Sequence, residues 1–177
     1  KPENEIKKII NAFERSEKKT YIIGAYALGK SQRVIKLLRD IGYNDTIFLH
    51  GSQVKICDYY ASQGIDLGKL EPVSHKKNKD FEGKIVIAPP SALKDKWSRR
   101  FSEPVICYAS GWMSIKQRAK QSLVEIPLII SDHCDWNELT DTIKKCKTKT
   151  VWVTHGREDA LVYWCRKQDI NAKPLYM

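Results

Sequence analysis

Short runs of β-branched and aliphatic residues recur along this 177-residue chain, and between them lie segments whose apolar residues repeat at helical spacing. TYIIGAY (20–26), TIFLH (46–50), KIVIAPP (84–90), PVICYAS (104–110), IPLIIS (126–131) and VWVTH (151–155) read as strands that are apolar throughout rather than alternating. Such strands are buried on both faces, and they occur in parallel sheets enclosed by helices. Ile6, Ile9, Ile10 and Phe13 share one face of residues 3–16, and Val34, Ile35, Leu37, Leu38 and Ile41 share one face of residues 31–41, which end at Gly42. SQVKICDYYASQG stops at Gly64 and SALKDKWSRRF (91–101) reads as a further helix. Two more helices are expected, from about Asp135 to Lys147 and over DALVYWCRKQ. The fold class is therefore α/β, a parallel sheet with helices on both faces.

Periodicity fails between residues 66 and 83, around Pro72 and the lysine-rich HKKNKDFEGK (75–84), so that stretch reads as surface loop. Residues 112–124 are basic and mixed, and a short tail strand is expected near Lys173–Tyr176. A change of character near Gly111 divides the chain into a helical lead-in (1–19), a first α/β domain (20–110) and a carboxyl-terminal segment (111–177). No internal repeat is visible. The chain opens on Lys1 rather than on methionine, and so reads as a processed or truncated product.

Lysine and arginine total 31 against 21 aspartates and glutamates, a net charge of +10. A surplus of that size points to a polyanionic partner, nucleic acid foremost, with solubility alone as the plainer account. No segment joins an apolar stripe to a basic face, and no apolar run approaches the ~20 residues of a bilayer span, so a membrane is not expected among the partners. The five cysteines are odd in number and contain no CxxC pair. Reduced thiols in a cytoplasmic protein follow, with Cys57, Cys107 and Cys165 as small core residues.

Gly24 to Ser31 spells GxxxxGKS between a strand and a helix, the setting of a phosphate-binding P-loop. IPLIISD would then supply the strand that ends in Asp132. A phosphate cradle needs converging backbone amides, usually with additional glycines. Here the interior is Ala25, Tyr26, Ala27 and Leu28, which reads better as a packed strand–turn–helix corner with Lys30 free to meet a nucleic-acid phosphate.

Two of the four histidines follow apolar strands: His133 in Ser131-Asp132-His133-Cys134-Asp135 and His155 in Val153-Thr154-His155-Gly156. Ligands of parallel α/β sheets collect at the carboxyl ends of strands, where an imidazole can ligate a metal or carry a proton. A hydrogen-bonded surface or cap residue is the plainer account of each. Two histidines fall short of a catalytic zinc site, and His50 and His75 do not complete one. Asp132 either orients His133 or binds metal, whereas Asp135 with Glu138 reads as a helix capping box. The tryptophans read mostly as core or interface, with Trp112 in SGWM expected near a cleft where it can stack on a base. KDKWSRRF (94–101) interleaves aromatic and basic residues, and either a solvated face or a backbone-binding helix fits it.

AYALGKSQRVIKLL (25–38), IAPPSAL (87–93), YASGWM (108–113), LIISDHCDW (128–136) and VWVTHG (151–156) together resemble the metallo-β-lactamase-fold nucleases of the β-CASP group. The bacterial DNA-ligase-associated exonucleases, also described as mRNA 3′-end-processing-factor-like, are the nearest in pattern. The resemblance implies a β-CASP-like lobe followed by the carboxyl-terminal part of a metallo-β-lactamase lobe. It also implies two-metal hydrolysis of phosphodiester bonds, with zinc as the usual metal and manganese as a second option. On this likeness His133 and Asp132 take catalytic roles and His155 becomes a metal ligand. Lys30, Lys94, Lys96, Arg99, Arg100 and Trp112 line the nucleic-acid groove. The implied substrate is DNA, single-stranded in particular, with RNA second, and the implied setting is DNA repair in association with a DNA ligase or helicase.

The HxHxDH signature of that group is missing, as are its further ligand histidine and aspartate and its β-CASP acidic motif. The expectation is therefore that an amino-terminal half of the same protein carries them, and that this chain alone neither holds two metals nor turns over. Two rival readings remain: a nucleic-acid-binding module without catalysis, and a P-loop nucleotide binder.

Overall fold

Four of the six apolar runs become the inner strands of a parallel sheet, whereas IPLIIS forms one of its edges and VWVTH enters a separate two-stranded sheet, where only Val153 is buried. In the computed structural model, which describes residues 1–16, 18–75, 81–121 and 123–175, the chain divides into two compact units, Lys1–His133 and Cys134–Met177. The first holds a six-stranded sheet of β1 (Tyr21–Gly24), β2 (Ile47–Leu49), β3 (Leu70–Pro72), β4 (Ile85–Ala88), β5 (Val105–Ala109) and β6 (Ile126–Leu128). The order across the sheet is β3-β2-β4-β1-β5-β6, and every pairing is parallel. Ile22 stands level with Val86 on one side and Ile106 on the other, which sets the register of the three central strands.

Strand side chains alternate between faces, so each strand feeds two cores. Tyr21, Ile23, Ile47, Leu49, Ile85 and Ile87 point to one face. There they pack against Ile6 and Ile9 of α1 (Pro2–Arg15), Val34, Ile35 and Leu38 of α2 (Lys30–Asp40) and Cys57 of α3 (Gly51–Ser62). Ile22, Phe48, Val86 and Ala88 point the other way, onto Val73, Phe81, Ala92 and Phe101. The α/β fold with a parallel sheet between helical layers is as the sequence predicts. The second layer, however, consists of short 3₁₀ helices, Pro90–Leu93 and Lys96–Arg100, in place of one helix over 91–101. Two prolines at the start and the Asp95 carboxylate, which accepts from the Lys96 amide at 2.6 Å, break that stretch in two.

The region read as loop over 66–83 contains the edge strand β3. Three residues are too few to show a period, and Pro72 is tolerated because an edge strand has a free side. Arg39 ties this edge down: its guanidinium donates to the carbonyls of Tyr43, Asp45, Leu67 and Lys69 at 2.7–3.0 Å. Residues 76–80 of the lysine-rich stretch, and Tyr176 of the expected tail strand, lie outside the described residues. Beyond β5 the chain makes a 3₁₀ turn (Gly111–Ser114) and the short helix α4 (Lys116–Gln121) before β6.

The second unit contains α5 (Trp136–Cys146), β7 (Thr150–Val153), α6 (Asp159–Lys167) and β8 (Asn171–Pro174), with β7 and β8 paired in parallel. Its core is Ile143, Val153, Val162, Cys165 and Ala172. The expected capping box is present: the Glu138 amide donates to Asp135 at 2.9 Å and the Asp135 amide donates to Glu138 at 3.0 Å. Trp136 and Trp152 are about half exposed and so lie outside the core. The Lys173 ammonium covers the Trp152 ring at 4.0 Å, so a neighbouring cation partly shields the indole where packing does not. Cys57, Cys107 and Cys165 are buried as expected, and all five cysteines are free thiols. Among the described residues no helix is long and apolar enough to cross a membrane.

Gly24, at the end of β1, lets the second layer approach the sheet: a Cβ there would collide with the Leu93 side chain. Gly24→Ala is expected to lower stability by about 1–3 kcal/mol, the usual cost of overpacking. Gly51 has open space around it in the first turn of α3. Gly51→Ala should therefore leave stability level or raise it by up to ~1 kcal/mol. Urea denaturation of the two variants checks the contrast, and equal midpoints would contradict the close approach.

Candidate functional site

The strand order reverses direction beside β1: α2 carries the chain away toward β2, whereas β5 leads on to β6 on the opposite side. Crevices outside the carboxyl ends of strands at such a point are where open α/β sheets bind ligands. A cavity of about 510 Å³ lies there, lined in part by Tyr26 beyond β1, Lys30 of α2, Ser110 and Trp112 beyond β5, and Ser131 and His133 beyond β6. All of these residues belong to the first unit.

The GxxxxGKS corner builds the floor. Gly29 has a φ of 78°, a left-handed conformation that glycine adopts without strain, and it starts α2 abruptly. Gln32 then closes the turn: its side-chain oxygen accepts from the Gly29 amide at 2.8 Å, and its amide nitrogen donates to the Ala27 carbonyl at 3.0 Å. The Ser31 hydroxyl donates to the Tyr26 carbonyl at 2.8 Å, and the Ser31 and Lys30 amides donate to the carbonyls of Tyr26 and Leu28. The amides of Gly29, Lys30 and Ser31, which a phosphate would need, are thus engaged within the chain. The corner is a packed strand–turn–helix junction.

Lys30 is the site's unusual residue. Its side chain is 4% exposed, and its ammonium lies 2.8 Å from Asp132 Oδ1, with the Tyr26 ring 5.1 Å away. Burial opposes ionisation of Asp132, but the hydrogen bond from Lys30, a backbone hydrogen bond and the positive charge of Lys30 outweigh it and hold the carboxyl below its ordinary range. The same Asp132 oxygen is 3.7 Å from His133 Nε2, while the imidazole itself stands 88% exposed. Lys30 therefore positions Asp132, and through it the segment carrying His133, rather than offering an unpaired cation to a ligand.

Residues 129–133 run past the end of β6, and side chains from the helical layer hold them there. The Arg33 guanidinium donates to the Ser131 carbonyl at 2.7 Å, and the Ile129 amide donates to Glu5 of α1 at 2.9 Å. Ser131 Oγ accepts from the His133 amide at 3.1 Å, and a Cβ on Gly111 would stand 3.2 Å from Ser131 Cβ. Arg33 and Glu5 carry no motif of their own. Their helical spacing places them on α2 and α1, but nothing local shows that they reach a loop about 100 residues away in sequence.

Trp112 sits on the far rim, 57% exposed, with the Arg118 guanidinium stacked 3.9 Å from its ring centre. Its placement near a cleft agrees with the expectation from SGWM. Lys94, Lys96, Arg99 and Arg100 are exposed on the 3₁₀ layer, where Arg100 lies 5.6 Å from the Trp97 ring. His50 contacts that ring edge-on at 4.8 Å and caps α3 by accepting from the Ser52 amide. Burial, and then the charge of Arg100, lower its pKa. His155 follows β7 in the second unit, exposed, with a φ of 65° and a 3.2 Å contact from Nδ1 to the Thr154 hydroxyl.

Among the described residues no three His, Cys, Asp or Glu side chains come together in a group that could hold a metal. The donor set that the zinc or manganese of the resemblance requires does not form from them.

No family model matches the sequence, and no curated protein matches it. A solved structure, a protein of unknown function from Enterococcus faecalis V583, aligns with 99% of this chain at a TM-score of 0.55 and 8% identity. The aligned chain spans 44% of that protein's length, and a likeness at this identity carries the fold alone.

The lowered Asp132 pKa fixes a sign. A carboxyl that titrates lower in the folded state contributes stability that is present above its unfolded pKa and is lost as pH falls through the folded value. Glu5 is lowered too, against its own burial, by Lys8 and the Ile129 amide, and so contributes with the same sign. Asp132→Asn is expected to cost about 1–3 kcal/mol near neutral pH, less than a fully buried pair because a third of Asp132 is open to water. The wild-type advantage should shrink as pH drops below the ordinary aspartate range. Denaturant titrations of both proteins from neutral pH into acid check this, and a difference that stays constant with pH would contradict it.

Proposed function

We propose that the chain is the nucleic-acid-binding part of a phosphodiester-hydrolysing enzyme of the β-CASP type, acting on DNA, with RNA as the second substrate. The observation that carries this reading is the switch-point cavity, where a buried Lys30–Asp132 pair, an exposed His133 and an exposed Trp112 meet at one crevice. The net charge of +10 supports a polyanionic ligand, and the order of the sequence segments supports this group over other α/β binders.

In this reading His133 is the proton-handling group, because its imidazole is open to solvent and Asp132 sits within reach of Nε2. Lys30 is a positioning residue. Lys94, Lys96, Arg99 and Arg100 attract the phosphate backbone, and His155 is a metal ligand only together with residues that this chain does not contain. Zinc or manganese, when bound by the complete set, would supply Lewis-acid stabilisation of the phosphate. Cytoplasmic DNA repair alongside a ligase or helicase is the setting proposed. The P-loop reading has less support, since the loop amides are already engaged. A binding module without catalysis is the alternative that an activity measurement separates.

Anisotropy of a labelled single-stranded oligodeoxynucleotide should show binding that weakens steeply with salt. The slope of log affinity against log salt should fall by about 0.7 for each phosphate contact removed at Lys94, Lys96, Arg99 or Arg100. In the full-length natural protein, His133→Ala should reduce turnover by about 100-fold or more, the scale of a lost general acid or base. No binding at low salt would overturn the nucleic-acid reading. Binding without hydrolysis by the full-length protein would leave the non-catalytic module.

A further inference from the structure

We infer that the cavity beside Trp112 is a socket for one nucleobase, with the Trp112 indole as its stacking wall and the Lys30 ammonium as a buried donor at its floor. The inference rests on the nucleic-acid reading above and states how the same site grips its ligand. Trp112 is exposed, yet its backbone is fixed. Its amide donates to the Ser110 hydroxyl at 3.3 Å, the Met113 amide donates to the Ser110 carbonyl at 3.1 Å, and Met113 itself is buried. The ring thus stands 57% exposed on an anchored turn, in place to receive a planar partner without reordering the backbone.

One face of that ring carries Arg118, 3.9 Å from the ring centre. A cation on one face leaves the other for a planar partner, and base–aromatic stacking tolerates any base because every base has a π-face. Tyr26 brings a second ring to the same cavity. The volume of about 510 Å³ lies within the range of small-ligand pockets, about 300–1,000 Å³, and suits a nucleoside.

The floor is chemically matched to a base edge. An ammonium has three protons to donate, and Asp132 takes one of the three from Lys30. A buried donor gains from further acceptors, and nucleobase edges present ring nitrogens and carbonyls. A bare phosphate gains less, because Asp132 already cancels the Lys30 charge. Ser110 and Ser131 add hydroxyls to the lining. A base stacked inside a duplex has both faces covered and cannot enter, so the socket takes an unstacked one.

The test walks one abasic unit along a single-stranded oligodeoxynucleotide, which removes a base at constant length and charge. With the wild-type chain, one position should lose roughly tenfold in affinity on becoming abasic, the scale of one base–aromatic stack. Trp112→Ala should lower affinity for the intact strand by a similar factor and abolish the abasic penalty at that position. Trp112→Phe should restore most of both, with unchanged far-ultraviolet circular dichroism in each variant. An abasic penalty that persists undiminished in Trp112→Ala, or no penalty at any position, overturns the socket. In that case steep salt dependence would still uphold the nucleic-acid reading, whereas a wild-type chain that binds no strand at all removes both.

Discussion

A lysine with 4% of its side chain exposed is the constraint around which the first unit is arranged. Taking an ammonium out of water costs several kcal/mol, and the attraction of one carboxylate repays this only when the geometry is close and the partner stays put. Asp132 at 2.8 Å is that partner, and it comes from a segment that has left the strand ladder of β6. The fold therefore has to hold a segment beyond the strand against α2 without strand pairing. It does so with Arg33 on the Ser131 carbonyl and Glu5 on the Ile129 amide. Three charged side chains from two helices thus hold residues 129–133, and His133 follows directly on the paired Asp132.

The sequence shows the parts of this arrangement unequally. Strands β1, β4 and β5 are legible because their residues are apolar on both faces, and only the centre of a parallel sheet accommodates that. The two edges differ: β6 is legible as the start of IPLIIS, whereas β3 carries Glu71 and Pro72 in three residues, shows no period and gains its identity from the neighbour it pairs with. The segment 91–101 has helical composition but folds as two 3₁₀ turns, because Pro89, Pro90 and Asp95 set local boundaries that a face-counting argument passes over.

At the site, polar residues that follow an apolar run are the readable signal. Asp132 and His133 stand out in sequence for that reason, and so does Trp112 after SG. The burial of Lys30 does not. A lysine at the first position of a helix normally points to water, and only the long-range meeting with Asp132 makes this one internal. Gln32 is similar: the GKSQ string looks like phosphate chemistry, but Gln32 closes the turn by taking the Gly29 amide and the Ala27 carbonyl. The motif is visible while its meaning depends on which amides are already engaged, and that is a property of the folded chain.

In the function proposed above, charge and cavity divide the work of recognition between them. Lys30 and Asp132 neutralise each other, so the crevice itself exerts little long-range pull on a phosphate. Attraction at a distance has to come from the exposed surplus of +10, which salt at physiological strength screens beyond roughly 8 Å. Short-range grip has to come from contacts that salt does not weaken, and the rings of Trp112 and Tyr26 beside a buried donor are of that kind. A ligand that is both polyanionic and planar, presented one unit at a time, satisfies both requirements. A free phosphate satisfies only the first, and an uncharged aromatic molecule only the second.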